Sequence, residues 1–264
     1  MPVIDGPAGA LHYVVTGVGE PSTVFVPGLA QSIADTRPFG SAVNGSRVFV
    51  DLRGHGGSAA PPDDGGWTYS GLADDVRAVA DRVRATRAVG VSLGAAAIVR
   101  LLVDDPFRFE RIVLALPPRL DGPRDEPELA VTDDLAEAIV DGPMGDPAGV
   151  AAALAGLQPA AVRRRPDVKT WARRHAAELG GNRGTAAACR AMPRQAVSPS
   201  LDVLGRVAAK VLVLAQHDDD VHPVRAAQTL ADAIPDARLV VSDVPWVWGG
   251  RAQLRAEVST FLNR

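Results

Sequence analysis

Short apolar runs rich in β-branched residues recur along the chain, and stretches with helical periodicity separate them. Near-continuous apolar runs of this length are typical of strands buried on both faces of a parallel sheet. These runs cover residues 22–28, 46–54, 87–92, 111–117, 210–216 and 237–243. An earlier segment, 10–18, alternates between apolar and polar residues and predicts an antiparallel strand or hairpin near the start of the chain.

Helical patterns lie between the predicted strands. In the stretch 69–86, several apolar positions fall on one face of a helix. These positions are Leu72, Val76, Val79, Ala80 and Val83. The segments 224–236 and 251–264 have the same periodicity. Alternating strands and helices predict an α/β fold in which a doubly wound, mostly parallel sheet is connected by right-handed crossovers.

Residues 119–206 break this alternation. The segment has no strand-like run and consists of Ala- and Arg-rich helical pieces separated by Pro and Gly. We predict that residues 1–118 and 207–264 form the α/β core and that 119–206 form a helical cap. A cap would lie over the carboxyl edge of the sheet, where ligands bind in open α/β folds. The alternative is a helical excursion that contacts no site.

Composition excludes some classes of partner. The chain has 264 residues, 47% of them hydrophobic, and a net charge of −3, which argues against nucleic acid or an anionic membrane surface as a partner. The single cysteine, Cys189, cannot form an internal disulfide. We find no basic leader and no apolar run of membrane length. We therefore expect a cytoplasmic protein with a small-molecule substrate; the oligomeric state is left open.

The segment Gly90-Val91-Ser92-Leu93-Gly94 places a serine between a predicted strand and a predicted helix. A sharp strand-to-helix turn would project the Ser92 hydroxyl at the edge of the sheet, and glycines suit this turn because backbone packs against backbone. The N–H of Leu93 would then point at a developing oxyanion. This context predicts a nucleophile.

A second oxyanion donor is expected in the loop after an earlier strand. In residues 25–32 the N–H of Leu29 follows a Pro27-Gly28 turn and is the candidate. The Pro-Gly pair would equally suit a simple turn that ends a strand.

Four motifs occur in a fixed order: "VPGLAQS" (26–32), "DLRGHGGS" (51–58), "GVSLG" (90–94) and "LVLAQHDDDVHP" (212–223). In sequence and spacing they resemble those of the α/β-hydrolase fold family, over nearly the whole chain. The resemblance implies a carboxylic-ester hydrolase with a serine nucleophile, no cofactor, and a cap at 119–206 that shapes substrate choice.

The resemblance also implies the position of the acid. The last motif is similar to the family's strand followed by Gly-x-x-Asp, with Gln216 where glycine is usual, and this implies Asp219 as the triad carboxylate. Asp218 and Asp220 are adjacent, so the register could differ by one. The alternative is an acidic, solvated turn before a helix.

The base is missing from its expected place. The family has its histidine just after the last strand, but residues 244–254 contain none. The histidines of the chain are His12, His55, His175, His217 and His222. His222, three residues after Asp219, is the first candidate for a relocated base; His217 and His175 are weaker candidates. The other hypotheses are a lyase-, cyclase- or isomerase-like reaction without an acyl-enzyme, and a catalytically silent small-molecule-binding protein.

Trp246 and Trp248 occupy the segment where the histidine is expected. Paired aromatic residues next to an active site predict an apolar pocket wall. Packing of both side chains in the core beneath the last helix is an equally good interpretation, because tryptophan buries a large area.

Metal and nucleotide chemistry have little support in the sequence. In "HDDDVH" (217–222) the carboxylates follow one another too closely to converge on one ion. The chain also lacks a Gly-rich nucleotide-binding motif after a strand. We predict neither a metal nor a cofactor.

Overall fold

The computed structural model describes residues 2–141, 145–198 and 200–264. In these residues one eight-stranded sheet has the order β1-β2-β4-β3-β5-β6-β7-β8. Its strands are β1 (Val3–Gly6), β2 (Gly9–Thr16), β3 (Ser22–Val26), β4 (Ser46–Val50), β5 (Arg87–Val91), β6 (Arg111–Ala115), β7 (Lys210–Gln216) and β8 (Ala237–Ser242). The first two strands form an antiparallel hairpin, and β2 also pairs antiparallel with β4. Strands β3 to β8 run parallel to one another. The predicted α/β fold with a mostly parallel sheet is confirmed.

Helices cover both faces of this sheet. They are α1 (Ile33–Gly40), α2 (Tyr69–Arg82), α3 (Leu93–Asp104), α4 (Glu126–Val140), α5 (Pro147–Gly156), α6 (Pro166–Leu179), α7 (Arg183–Ala191), α8 (Val224–Ala233) and α9 (Arg251–Leu262). The apolar sides of α2, α3 and α8 pack in the core on one face, and those of α1 and α9 pack on the other. In the described parts of the chain, no helix combines the length and apolar character that a membrane crossing requires.

Strand register brings three loops together at the carboxyl edge. Val26 of β3 is level with Gly90 of β5, and Val91 is level with Ala115 of β6. Ala115 is in turn level with Leu214 of β7, so the loops that follow β3, β5 and β7 leave the sheet at the same edge. This arrangement fits the expectation that ligands bind at the carboxyl ends of parallel strands.

The helical insertion, our name for the described part of residues 119–206, lies between β6 and β7. It contains α4 to α7 and short 3-10 turns, and no strand occurs among its described residues. Side chains of α4 to α7 form an apolar cluster of their own, which also includes Ala30 from the loop after β3. The insertion therefore packs against the edge of the sheet from which that loop emerges.

Candidate active site

Ser92 occupies a sharp turn between β5 and α3. Its backbone has φ 50° and ψ −111°, a conformation that non-glycine residues rarely adopt. Such a conformation costs about 1–3 kcal/mol and persists only where the surroundings enforce it. Here the Ser92 N–H donates to the carbonyl of Ala115 at 2.9 Å, and the Ser92 carbonyl accepts from the Ala96 N–H at 3.0 Å. The turn is thus fixed from both sides.

The flanking glycines allow this turn because backbone lies where a side chain would be. A Cβ on Gly94 would lie 2.3 Å from the carbonyl oxygen of Val26, and one on Gly90 would lie 2.6 Å from the amide nitrogen of Ala95. Both contacts are with main-chain atoms, which cannot turn away as a flexible side chain can. The start of α3 can therefore approach β3 closely only with glycine at these positions.

A Gly94→Ala variant should lose about 3 kcal/mol of unfolding free energy, because its methyl group forces backbone apart in a packed core. Gly205→Ala is the matched control, since a Cβ at Gly205 meets no atom within 4 Å. Urea unfolding of both variants measures the difference. Equal stabilities would contradict the role given to the close approach.

His222 lies next to Ser92. Its Nε2 is 2.8 Å from Ser92 Oγ, and its Nδ1 is 3.1 Å from Asp219 Oδ2. A carboxylate only accepts hydrogen bonds, so this network assigns the proton to Nδ1 and leaves Nε2 free to accept from the serine hydroxyl. The imidazole is 12% exposed. Serine, imidazole and carboxylate therefore form one hydrogen-bonded chain.

Asp219 is buried and holds a tight turn of the loop that follows β7. Its Oδ1 accepts from the N–H groups of Val221 and His222, each at 3.1 Å. Burial acts to raise the pKa of Asp219, but the His222 side chain and hydrogen bonds from His222 and Gln216 outweigh it and hold the pKa below its ordinary value. The carboxylate that orients the histidine in space also shapes the backbone that carries it.

The neighbouring aspartates lie outside this network. Asp218 is exposed, and the Asp220 carboxylate is 85% exposed with Arg163 at 4.0 Å. Of the three carboxylates, Asp219 is the one within hydrogen-bonding distance of the His222 ring.

The sequence did not predict the contacts that the Gln216 side chain makes with its neighbours. Its Nε2 donates to Asp219 Oδ2 at 2.6 Å, and its Oε1 accepts from the Trp246 N–H at 2.9 Å. The motif that this loop resembles usually has glycine at this position, and glycine has no side chain that could make either bond. The signal in the sequence was the unusual residue itself, but nothing in it indicated which partners the amide would bind.

The two tryptophans have different environments. Trp246 does not line the cavity next to Ser92; its ring is fully buried in the core with α9, and its Nε1 donates to the carbonyl of Ala215 at 2.8 Å. Trp248 does line the cavity, and its Nε1 donates to Gln158 Oε1 at 2.8 Å. The core interpretation therefore describes Trp246, and the pocket interpretation describes Trp248.

Two backbone N–H groups near Ser92 are available to a ligand. Within the described residues, neither the Leu29 N–H nor the Leu93 N–H donates a hydrogen bond. Leu93 opens α3, where helix N–H groups are unpaired. The loop before Leu29 lies against the serine, since a Cβ on Gly28 would be 3.4 Å from Ser92 Cβ. The Gly28 N–H donates to Gln31 Oε1 at 2.9 Å, which fixes this loop.

A cavity of about 350 Å³ opens at Ser92 and His222. Its floor comes from the loops at the carboxyl edge of the sheet, and part of its wall comes from the helical insertion. Phe39, Trp171 and Trp248 give it an aromatic side, and the rings of Trp171 and Trp248 meet edge to face at 5.4 Å. This volume and lining suit a small organic ligand.

The remaining histidines lie in other contacts. His12 Nδ1 is 2.7 Å from Asp51 Oδ2, and His55 Nδ1 is 2.8 Å from the carbonyl of Arg53. His217 is more than half exposed. Among the described residues, no group of three or more His, Cys, Asp or Glu side chains is arranged to hold a metal ion.

His175 joins the helical insertion to the core. From α6 its Nε2 is 2.9 Å from Asp35 Oδ1 on α1, and Trp171 Nε1 donates to the same oxygen at 3.3 Å. Burial disfavours the imidazolium of His175 and the carboxylate of Asp35. The hydrogen bond and charge attraction between them outweigh this effect, so the pKa of His175 is raised and the pKa of Asp35 is lowered. This ion pair connects the two walls of the cavity.

We expect an Asp35→Asn variant to show a pH-dependent loss of stability. Because the pKa of His175 is raised by folding, its contribution to the free energy of unfolding is complete below pH 6.5. That contribution is lost as the pH rises through the folded-state pKa. Because the pKa of Asp35 is lowered by folding, its contribution to the free energy of unfolding is complete above pH 3.8. That contribution is lost as the pH falls through the folded-state pKa. Breaking such a pair costs about 3 kcal/mol. The gap in unfolding free energy should be larger at pH 5.5 than at pH 9, and a gap that does not change with pH would contradict the pairing.

Comparison with known proteins identifies the family. A model of the alpha/beta hydrolase family matches residues 23–248. Over 48 residues, 18% of this chain, the sequence is 48% identical to 2-succinyl-6-hydroxy-2,4-cyclohexadiene-1-carboxylate synthase from Salmonella typhimurium. That match spans only 19% of the length of the synthase.

Solved structures share the fold over the full chain. The enol-lactonase from Burkholderia xenovorans LB400 is 24% identical, with 100% of both chains covered and a TM-score of 0.82. A thermophilic esterase from Thermogutta terrifontis is 20% identical, with 98% of both chains covered and a TM-score of 0.77. The match to the family model covers most of this chain and establishes that the chain belongs to the alpha/beta hydrolase family.

Proposed function

We propose that this protein hydrolyses a small carboxylic ester or lactone through an acyl-enzyme on Ser92. One observation carries the proposal: His222 Nε2 lies 2.8 Å from Ser92 Oγ while the other ring nitrogen faces Asp219. A nucleophile, a base within hydrogen-bonding reach and a carboxylate that orients the base are the parts that acyl transfer needs.

In the first half-reaction, His222 Nε2 takes the proton of Ser92 as Oγ bonds to the carbonyl carbon. The N–H groups of Leu29 and Leu93 stabilise the oxyanion that forms. His222 then gives its proton to the leaving alkoxide oxygen as the carbon–oxygen bond breaks. Asp219 stabilises the transient imidazolium. In the second half-reaction, water gives its proton to His222 and attacks the acyl carbon, and Ser92 leaves with that proton restored.

The helical insertion acts as the cap in this proposal, since it supplies part of the cavity wall. The two similar solved structures favour ester and lactone substrates, because one is an enol-lactonase and the other is an esterase. A cytoplasmic location is also part of the proposal; the single cysteine, Cys189, is a buried free thiol, which a compartment that keeps thiols reduced permits.

The proposal is tested by ester turnover and by trapping the intermediate. Wild-type protein should hydrolyse 4-nitrophenyl butyrate, and acid quenching during turnover should leave a butyryl mass increment on the peptide that contains Ser92. Ser92→Ala should lose both signals while keeping its circular dichroism spectrum. Full turnover by Ser92→Ala would refute the proposal.

A second candidate is a non-hydrolytic reaction, favoured by the short but close match to a synthase. In that case His222 would remove a proton from the substrate itself, and Ser92 and the two N–H groups would polarise a carbonyl. No acyl-enzyme would form. A folded wild-type protein with no butyryl increment on Ser92 would support this candidate over the hydrolase.

A further inference from the structure

Arg124 is a buried cation in the wall of the active-site cavity. It lies between β6 and α4, is 8% exposed, and lines the cavity that contains Ser92 and His222. Within the described part of the chain, its guanidinium forms no ion pair and donates no hydrogen bond. An arginine this deeply buried normally has a partner.

Arg53 shows what a structural arginine looks like in this fold. It is 3% exposed and pairs with Asp75, its Nε lying 2.6 Å from Asp75 Oδ2. It also donates to the carbonyls of Gly66 and Gly71. Burying an unpaired charge costs several kcal/mol, so evolution is not expected to keep one for packing alone. Arg124 therefore lacks the contacts that would explain it as a structural residue.

The carboxylates around the cavity are not placed to neutralise Arg124. Asp219 is engaged by His222 and Gln216, and Asp35 is engaged by His175. Glu128 of α4 is close enough to be influenced: burial raises its pKa, and the charge of Arg124 opposes that rise. Glu128 nonetheless makes no ion pair with Arg124. Among the described residues, the Arg124 guanidinium thus has no direct ion-pair partner at the site.

We propose that the substrate carries a carboxylate which binds Arg124, in addition to the ester or lactone carbonyl that reaches Ser92. This inference rests on the proposed function and names its substrate class: a monoester of a dicarboxylic acid, or a lactone bearing a carboxylate. A guanidinium and a carboxylate pair through two parallel hydrogen bonds, which are stronger where water is excluded. The aromatic side of the cavity, at Trp171 and Trp248, would contact the apolar part of the molecule.

The test compares two esters that differ in one charge. Mono-4-nitrophenyl adipate is anionic, and its methyl ester, methyl 4-nitrophenyl adipate, is neutral; both release the same chromophore. Wild type should prefer the anion. Arg124→Gln should lower kcat/KM for the anion by about 10- to 100-fold, the usual effect of losing one charge-assisted pair, and change it little for the methyl ester. Arg124→Lys should recover part of the preference.

Arg225→Gln is the matched control. It removes an exposed positive charge that lines a hollow next to the cavity but not the cavity itself, and it should leave the preference unchanged. Arg124→Gln should also melt at or above the wild-type temperature, because it removes a buried charge without a partner. An equal loss on both esters, or no preference in wild type, would overturn the inference while leaving the hydrolase proposal intact.

Binding separates the two proposals if neither ester is hydrolysed. Calorimetry with Ser92→Ala and mono-4-nitrophenyl adipate measures affinity without turnover. A dissociation constant about 10-fold or more weaker in Ser92→Ala/Arg124→Gln would support the anion site even if ester hydrolysis fails. Equal constants in the two proteins would refute it.

Discussion

Replacing His222 by alanine is expected to lower kcat/KM for a neutral ester by about 1,000- to 10,000-fold, because a serine hydroxyl without its base is a weak nucleophile at neutral pH. The loss should appear mainly in kcat. The imidazole is on a loop at the cavity, so the variant should keep its fold. Initial rates with 4-nitrophenyl butyrate, alongside thermal unfolding, measure both quantities.

His217→Ala is the matched control for this variant. His217 lies on the same loop, but its side chain is 55% exposed and is 3.7 Å from Asp243 rather than near Ser92. Its removal should leave kcat/KM close to wild type. If His222→Ala retained wild-type activity, or if both variants lost activity equally, His222 would not be the base.

Asp219→Asn is expected to have the second large effect, a fall in kcat of about 1,000-fold or more. An amide nitrogen in place of a carboxylate oxygen would face His222 Nδ1 with a donor, which favours the wrong tautomer and removes the charge that stabilises the imidazolium. The variant also weakens the turn held by the N–H groups of Val221 and His222. We therefore expect lower thermal stability as well.

Asp218→Asn and Asp220→Asn provide controls of the same chemistry on adjacent residues. Both carboxylates are exposed and outside the network, so each variant should keep nearly full activity. Initial rates of ester hydrolysis by the three variants show directly which of the three aspartates is the acid. A loss in Asp218→Asn or Asp220→Asn that matched the loss in Asp219→Asn would contradict the assignment.

Much of the fold was predictable because strands buried on both faces need continuous apolar runs. All five positions of β3 are buried, and the run 210–216 corresponds to β7 without a change of boundary. The run 46–54 was predicted too long. The strand ends at Val50, because Asp51 turns away to accept hydrogen bonds from the Ile33 and Gly57 N–H groups. Short apolar runs do not reveal such side-chain-to-backbone contacts.

The sharp turn at Ser92 was predictable for a different reason. The turn at Ser92 imposes a local requirement, glycine on both sides, that is visible in five consecutive residues. The position of the proposed base depends on how the loop after β7 folds. Its turn is fixed by bonds from Asp219 to the backbone, so the sequence made His222 a candidate but did not determine its distance from Ser92.

Other features depend on contacts between distant segments. Gln216 bonds to the backbone of Trp246, thirty positions away, and His175 of α6 pairs with Asp35 of α1. Arg124 is conspicuous only once its burial and its lack of a partner are known. No periodicity or short motif carries this information, because each contact joins residues that only the folded sheet and insertion bring together.

We propose that His222, supplied from the loop after β7, activates Ser92. The most direct test is the rate of labelling by a fluorophosphonate probe, which reacts with activated serines, in wild type, Ser92→Ala, His222→Ala and His217→Ala. We expect rapid labelling of wild type and His217→Ala, and little or no labelling of Ser92→Ala and His222→Ala. Slow labelling of folded wild type, or labelling that survives in His222→Ala, would contradict it.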